Sequence, residues 1–185
     1  MKTFITGLLQ SGITRWSLLA GVAAVLVWAW PATAGQKQAV EAVSVTLSFD
    51  PGQASATPGG NIHIKGMTAV NMLVSENPLF TGRLTWVGNF NGDAQLNGVG
   101  SGTGMFEVGT WDLSSGAPVF IPSPAGGLYV TTWQGQGNPI SAYEVKVVGH
   151  GIAGEVAGMQ FDVIGNGDLF STLYSGELLD PHAEK

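Results

Sequence analysis

Beyond residue 34, apolar and polar side chains alternate nearly one for one, and no window of helical length carries a sustained 3.6-residue apolar period. Successive side chains of a strand point to opposite faces, so a period of two marks strands rather than helices. Residues 43–49 set Val43, Val45, Leu47 and Phe49 on one side against Ser44, Thr46 and Ser48 on the other, the signature of a half-buried strand. Asp50-Pro51-Gly52 and Pro58-Gly59-Gly60 bracket a polar loop before Ile62, His63, Ile64 and Lys65 resume the alternation. Residues 66–75 read as strand, with Val70, Met72 and Val74 on one face and Met67 and Leu73 on the other. From Arg83 to Phe90, Leu84, Trp86 and Phe90 oppose Arg83, Thr85, Val87 and Asn89.

Asn91-Gly92 follows directly, and such a pair tolerates the positive φ of a two-residue hairpin turn. Strands 83–90 and 93 onward are therefore expected to pair antiparallel. Asn166-Gly167 repeats the signal between Met159–Ile164 and Leu169–Leu178, where Phe170, Thr172, Tyr174 and Leu178 share a face. The predicted class is all-β: a single antiparallel β-barrel of about eight strands, with a β-sandwich as the alternative.

The glycines favour the barrel. Gly98, Gly100, Gly102 and Gly104 recur at period two and would leave one face of a strand bare, with Val99, Ser101, Thr103 and Met105 on the other. A bare face weakens an isolated strand, but it lets a sheet coil or a large side chain approach closely. Gly149, Gly151, Gly154 and Gly158 form a second cluster after the alternating Tyr143, Val145 and Val147. Each cluster lies near a glutamate, Glu107 and Glu155, which is a faint internal duplication or the shared demand of barrel bends.

The N-terminal 34 residues have a different grammar. Lys2 and Arg15 are their only charges, an uncharged stretch runs from Trp16 to Trp30, and Pro31 precedes Ala32-Thr33-Ala34. Basic, then apolar, then small is the order of a secretory signal, with cleavage expected after Ala34; an uncleaved anchor is the alternative. The expected organisation is a signal peptide at 1–34, a barrel at 35–180 and a tail at 181–185, exported to the periplasm or the outside of the cell. With no cysteine in the chain, a lipoprotein anchor is excluded and the exported domain must be held by packing alone.

All 13 acidic residues lie beyond residue 34, where only Lys37, Lys65, Arg83, Lys146 and Lys185 are basic. Scattered cations on an acidic chain exclude nucleic acid as an expected partner, and contact with a membrane is expected only through the signal segment if that is uncleaved.

No motif names a reaction. Gly149-His150-Gly151-Ile152-Ala153-Gly154 has the spacing of a dinucleotide fingerprint, but the segment after it alternates like a strand where that motif must open a helix. His63, His150 and His182 lack metal-ligand spacing, so neither a metal nor a cofactor is expected. There is no nucleophile elbow and no thiol.

The candidate catalytic residues are Glu107 and Glu144, each alternating with apolar neighbours on its strand. A carboxylate inside a barrel lumen would have the raised affinity for protons that acid–base work near neutrality needs; on an outer face it is only solvated. The candidate ligand-binding residues are Trp86, Trp111, Tyr129 and Trp133, with Arg83, the single arginine beyond residue 34. Tyr129 and Trp133 share a face with Thr131 between them, giving a stacking platform if exposed and core if buried.

The segments Gly100-Ser101-Gly102-Thr103-Gly104-Met105-Phe106-Glu107, Trp111-Asp112-Leu113, Gly149-His150-Gly151 and Gly154-Glu155-Val156-Ala157-Gly158-Met159 resemble the glycine-bent strands of the allene oxide cyclase-like and dirigent-like barrels. The resemblance covers about half of the chain beyond the signal. It implies an eight-stranded antiparallel barrel with an apolar cavity, in a superfamily that guides cyclisation or coupling of reactive small molecules. It places no functional residue on a position here.

The expected function is thus binding of a small, largely apolar molecule inside the barrel. A barrel isomerase or cyclase using a lumen carboxylate is one alternative, and a surface or matrix protein is another.

Overall fold

The computed structural model describes residues 35–182; residues 1–34, where a signal peptide is expected, and the last three residues lie outside the described part. Ten strands follow in order: β1 (Gln36–Asp50), β2 (Gln53–Ala56), β3 (Ile62–Ser75), β4 (Gly82–Gly92), β5 (Gly98–Asp112), β6 (Val119–Pro122), β7 (Leu128–Asn138), β8 (Ala142–Ala153), β9 (Gln160–Gly167) and β10 (Ser171–Asp180). Eight of them, β1, β3, β4, β5, β7, β8, β9 and β10, pair antiparallel each with the next, and β10 returns to β1. The sheet is therefore a closed up-and-down barrel and has no sandwich layers, which is how a β protein disposes of its unpaired edges. β2 and β6 are short flaps on the overhanging ends of β3 and β5.

Two bulges set which side chains enter the barrel. On β1 the register shifts between Thr46 and Ser48, and on β3 between Ile64 and Met67, where Gly66 takes φ +68°. Before its bulge β1 points Val40, Ala42 and Ser44 inward. Val43, Val45 and Leu47 face outward and are 49%, 37% and 39% exposed, the reverse of what the apolar alternation suggests. The extra residue then changes the phase, so that Phe49 packs inward against Trp86. On β3 the inward face is Met67, Ala69, Asn71 and Leu73. Ser44 and Asn71 belong inside because they are bonded there: Asn71 Nδ2 donates to Ser44 Oγ at 3.1 Å and to Thr46 Oγ1 at 3.0 Å.

The expected hairpins form, but neither Asn-Gly pair is the turn. Gly92 pairs with Gly98, and the chain reverses over residues 93–97, where Asp93 Oδ1 accepts from the amides of Gln95 and Asn97. Gly167 pairs with Thr172, and Asp168 Oδ1 accepts from Phe170 and Ser171. In both hairpins the aspartate one residue on closes the turn with its own side chain, and the Asn-Gly pair becomes strand.

The glycine stripe of β5 faces the interior and spaces the large side chains. Across β4, β5 and β7 the rows read Trp86–Gly104–Thr131, Gly88–Gly102–Trp133 and Phe90–Gly100–Gly135. A Cβ on Gly88 or Gly100 would meet the Trp133 ring. Alternating large and small in each layer lets a narrow barrel seat an indole across its wall.

One end of the barrel is packed solid. The 3₁₀ turns Pro78–Phe80 and Gly154–Val156 carry Phe80 and Val156, 1% and 0% exposed, into that end. There Phe106 stacks on Tyr129 with centroids 5.7 Å apart, and Phe80 and Tyr129 meet Phe161 edge-on at 5.0 and 5.1 Å. The second glycine cluster serves this end: Gly149 leaves room for the Phe161 ring and Gly151 for the backbone of Val156.

Candidate functional site

At the other end, between the plug and the rim, lies a cavity of about 250 Å³. Its walls are Phe49 from β1, Met67 from β3, Trp86 and Phe90 from β4, Trp133 from β7 and Tyr143 from β8. Leu96, Pro139, Ile140 and Leu169, from three loops, form the rim. Ile140 both lines the cavity and is 52% exposed, which places the mouth at these loops. Size, concavity and a mainly apolar lining with a few polar atoms are the features of a small-molecule pocket.

Trp86 and Trp133 meet edge to face in the wall of this space, centroids 5.3 Å apart at 72°. Their indole N–H groups differ. Trp86 Nε1 donates to Asn71 Oδ1 at 3.0 Å. Asn71, with both amide hydrogens on Ser44 and Thr46, is then fully engaged, and Thr46 Oγ1 donates on to the carbonyl of Leu169 at 2.6 Å. Trp133 Nε1 and the adjacent Thr131 Oγ1 are buried and have no hydrogen-bond partner among the described residues.

Charge is nearly absent from the lining. Among the described residues, Asp168 is its one carboxylate, with Oδ1 held by the amides of its own turn, and no basic side chain lines the cavity. Burial pushes the phenol of Tyr143 up to about 12, against an opposing hydrogen bond from the Gly100 backbone. Burial also raises Tyr174, so both hydroxyls stay protonated at neutral pH.

Of the residues expected to bind a ligand, Trp86 and Trp133 line the cavity. Tyr129 points inward too, but lies in the packed end, 0% exposed, with its hydroxyl donating to Met159 Sδ at 3.8 Å. Burial first, then the charges of Asp180 and Glu155, hold its phenol well above the usual range. Trp111 sits beyond the barrel wall, its ring 5.1 Å from that of Phe120 on flap β6 and its Nε1 donating to the carbonyl of Gly82. Arg83 is on the outer face, paired with Glu107 at 2.6 Å and lying 4.6 Å over the Phe120 ring.

Neither candidate catalytic carboxylate reaches the lumen. Glu107 is outside because its neighbours Phe106 and Val108 are the inward residues of β5, and Glu144 is outside because Tyr143 and Val145 point in on β8; it is exposed and bonded to Gln136. No group of three or more potential metal ligands occurs among the described residues.

Sequence reasoning placed Tyr143 and Thr131 on strand faces but counted neither of them, nor Asn71, among the ligand-binding residues. Tyr143 shares the inward face of Val145 and Val147, and Asn71 is a lone amide on the Met67–Leu73 face, a pattern that marks a polar group needing internal partners.

No protein-family model matches the chain, and no curated protein matches it.

Proposed function

We propose that this protein is an exported barrel that holds one small, largely apolar molecule in its interior. The observation that carries the reading is the contrast within one barrel between a packed end and an aromatic-walled cavity of about 250 Å³ with its mouth at the loops. A fold that can fill one half of its lumen with side chains has no packing reason to leave the other half open. Burying a ligand there would gain about 25 cal/mol for each Å² of apolar surface removed from water. Glu107 and Glu144 face away from the lumen, and Asp168, the one carboxylate among the described lining residues, has its Oδ1 held by the amides of its own turn, which favours binding over the isomerase or cyclase alternative.

Export rests on the N-terminal order of Lys2, the apolar run to Trp30 and the Ala32-Thr33-Ala34 site. N-terminal sequencing of protein from the native host should begin at Gly35; an intact Met1 in a membrane fraction would overturn this part. Native mass spectrometry of the same material should show a stoichiometric small molecule released on denaturation. Protein that carries none, and that does not bind an apolar fluorescent probe displaceable from Trp133, would count against the binding reading.

A further inference from the structure

Resting on that reading, we infer that the bound molecule is uncharged and carries one hydrogen-bond-accepting oxygen, a ketone, aldehyde or ester, that is seated by Trp133 Nε1 and Thr131 Oγ1. The two cavity tryptophans make the case by their difference. Both indoles are in the same wall and touch each other. The protein supplies Trp86 with an acceptor, Asn71 Oδ1, and supplies Trp133 with none among the described residues. An indole N–H can only donate, so the missing partner is an acceptor.

The threonine two residues along β7, on the same inward face and 1% exposed, has an equally unpartnered hydroxyl. Thr131 and Trp133 oppose two successive glycines of β5. A Cβ on Gly102 would stand 2.6 Å from Trp133 Nε1, and one on Gly104 would stand 2.8 Å from Thr131 Oγ1. The bare strand thus keeps side chains away from both unsatisfied atoms.

Buried polar groups in folded proteins are almost always paired, and an orphan costs stability unless something else satisfies it. Two such orphans on neighbouring residues of one cavity wall point to a ligand oxygen.

The rest of the lining decides its charge. An anionic head group would meet no cation among the described residues of the wall and would share the space with Asp168, so its charge would be buried without a partner there. A cation would find one carboxylate at the rim, already held by two backbone amides. A pure hydrocarbon would fill the space but leave both polar atoms unsatisfied.

The test uses two molecules of nearly the same shape, benzophenone and diphenylmethane, which differ in whether a carbonyl joins the rings, with 4-benzoylbenzoate as the charged analogue. Affinities are read by isothermal titration with the purified protein, and the indole N–H signals by NMR. Benzophenone is expected to bind about tenfold more tightly than diphenylmethane, equivalent to about 1.4 kcal/mol, and to move one indole N–H resonance downfield where diphenylmethane does not. That resonance is assigned by its loss in Trp133→Phe. Thr131→Val, which keeps volume and strand propensity, should reduce the preference for the ketone over diphenylmethane; an undiminished preference would count against Thr131 Oγ1. Equal affinities for ketone and hydrocarbon would overturn the inference and leave the apolar cavity standing, as would tighter binding of the carboxylate. Binding of none of the three would remove the cavity reading itself.

Discussion

In one half of the barrel, the rings of Phe80, Phe106, Tyr129 and Phe161 meet at centroid distances between 5.0 and 6.2 Å, and the space left among the neighbouring side chains is about 10 Å³. In the other half, Trp86, Trp133 and Tyr143 stand around about 250 Å³. The same eight strands run through both halves, with bulges that change the phase on β1 and β3 toward the open end. What differs is what the loops contribute. At the packed end two 3₁₀ turns push Phe80 and Val156 into the lumen; at the other end the hairpin turns are closed by Asp93 and Asp168 and leave Leu96, Ile140 and Leu169 around a mouth. Barrel strands alone do not decide between core and pocket, and here the connections do.

The largest expected effect tests the packed half. Phe106→Ala removes a ring that touches three others and should cost about 3–5 kcal/mol in urea unfolding. Phe49→Ala at the mouth should cost about 1 kcal/mol, because its ring already borders open space. Equal costs would mean that the two halves are packed alike, and the comparison would fail.

Alkali separates the halves through the tyrosines, of which the chain has three, all with raised phenols. In the unfolded chain a phenol ionises near pH 10. A native phenol held higher keeps its proton longer, so between those values the unfolded state binds fewer protons and stability falls as pH rises. The contribution is complete below pH 10 and is lost for Tyr143 as pH rises toward about 12. Tyrosinate absorbance should therefore appear only together with the loss of tryptophan near-ultraviolet dichroism. A phenol that ionises in the folded chain near pH 10 would mean that its surroundings are wet.

A smaller effect sharpens the account of the cavity wall. Gly102→Val places methyl groups against the Val87 carbonyl and Trp133, and should cost about 1–3 kcal/mol and displace the indole. Ser101→Val, one residue along on the outer face, should change stability by no more than about 0.5 kcal/mol. Equal small effects would mean that the glycine stripe packs against nothing.

The barrel was legible in the alternation and the glycines. Period two identified the strands, and a bare strand face implied a close neighbour, which is the Trp133 ring. The side of the wall was not legible on β1, because a barrel strand with apolar residues outside and Ala42, Ser44 and Thr46 inside alternates as cleanly as the reverse. Only the partners, Asn71 and the Leu169 carbonyl, fix that choice, and they are distant in sequence. Turn position was missed for a related reason. Asn-Gly signals permit positive φ locally, but Asp93 and Asp168 supply acceptors for two amides each, and that decides where the chain reverses. Of the site, Trp86 and Trp133 were among the expected ligand-binding residues and line the cavity, while Trp111 and Tyr129, expected with them, lie elsewhere along the barrel, a depth that sequence spacing does not report.

The smallest expected effects lie on the outer wall and bear on whether any chemistry belongs to the barrel's carboxylates. Glu144→Gln keeps the shape and can keep the contact with Gln136, so stability should be unchanged within about 0.5 kcal/mol. Glu107→Gln removes the partner of Arg83, but both side chains are partly solvated, at 33% and 42% exposure. Such pairs contribute about 0–1 kcal/mol, less as salt screens them, and the guanidinium retains the Phe120 ring beneath it. Neither substitution changes a cavity-lining residue, so ligand affinity at the Trp133 wall should be the same in both variants as in the parent. A loss of binding, or of any turnover of a bound molecule, in Glu107→Gln would show that the outer face communicates with the lumen through β5. The strand offers one route for that, since Phe106 beside Glu107 belongs to the packed half and Gly104 beyond it to the cavity wall. Unchanged affinity would confine function to the inward faces and make the difference between the two halves of the lumen sufficient to account for it.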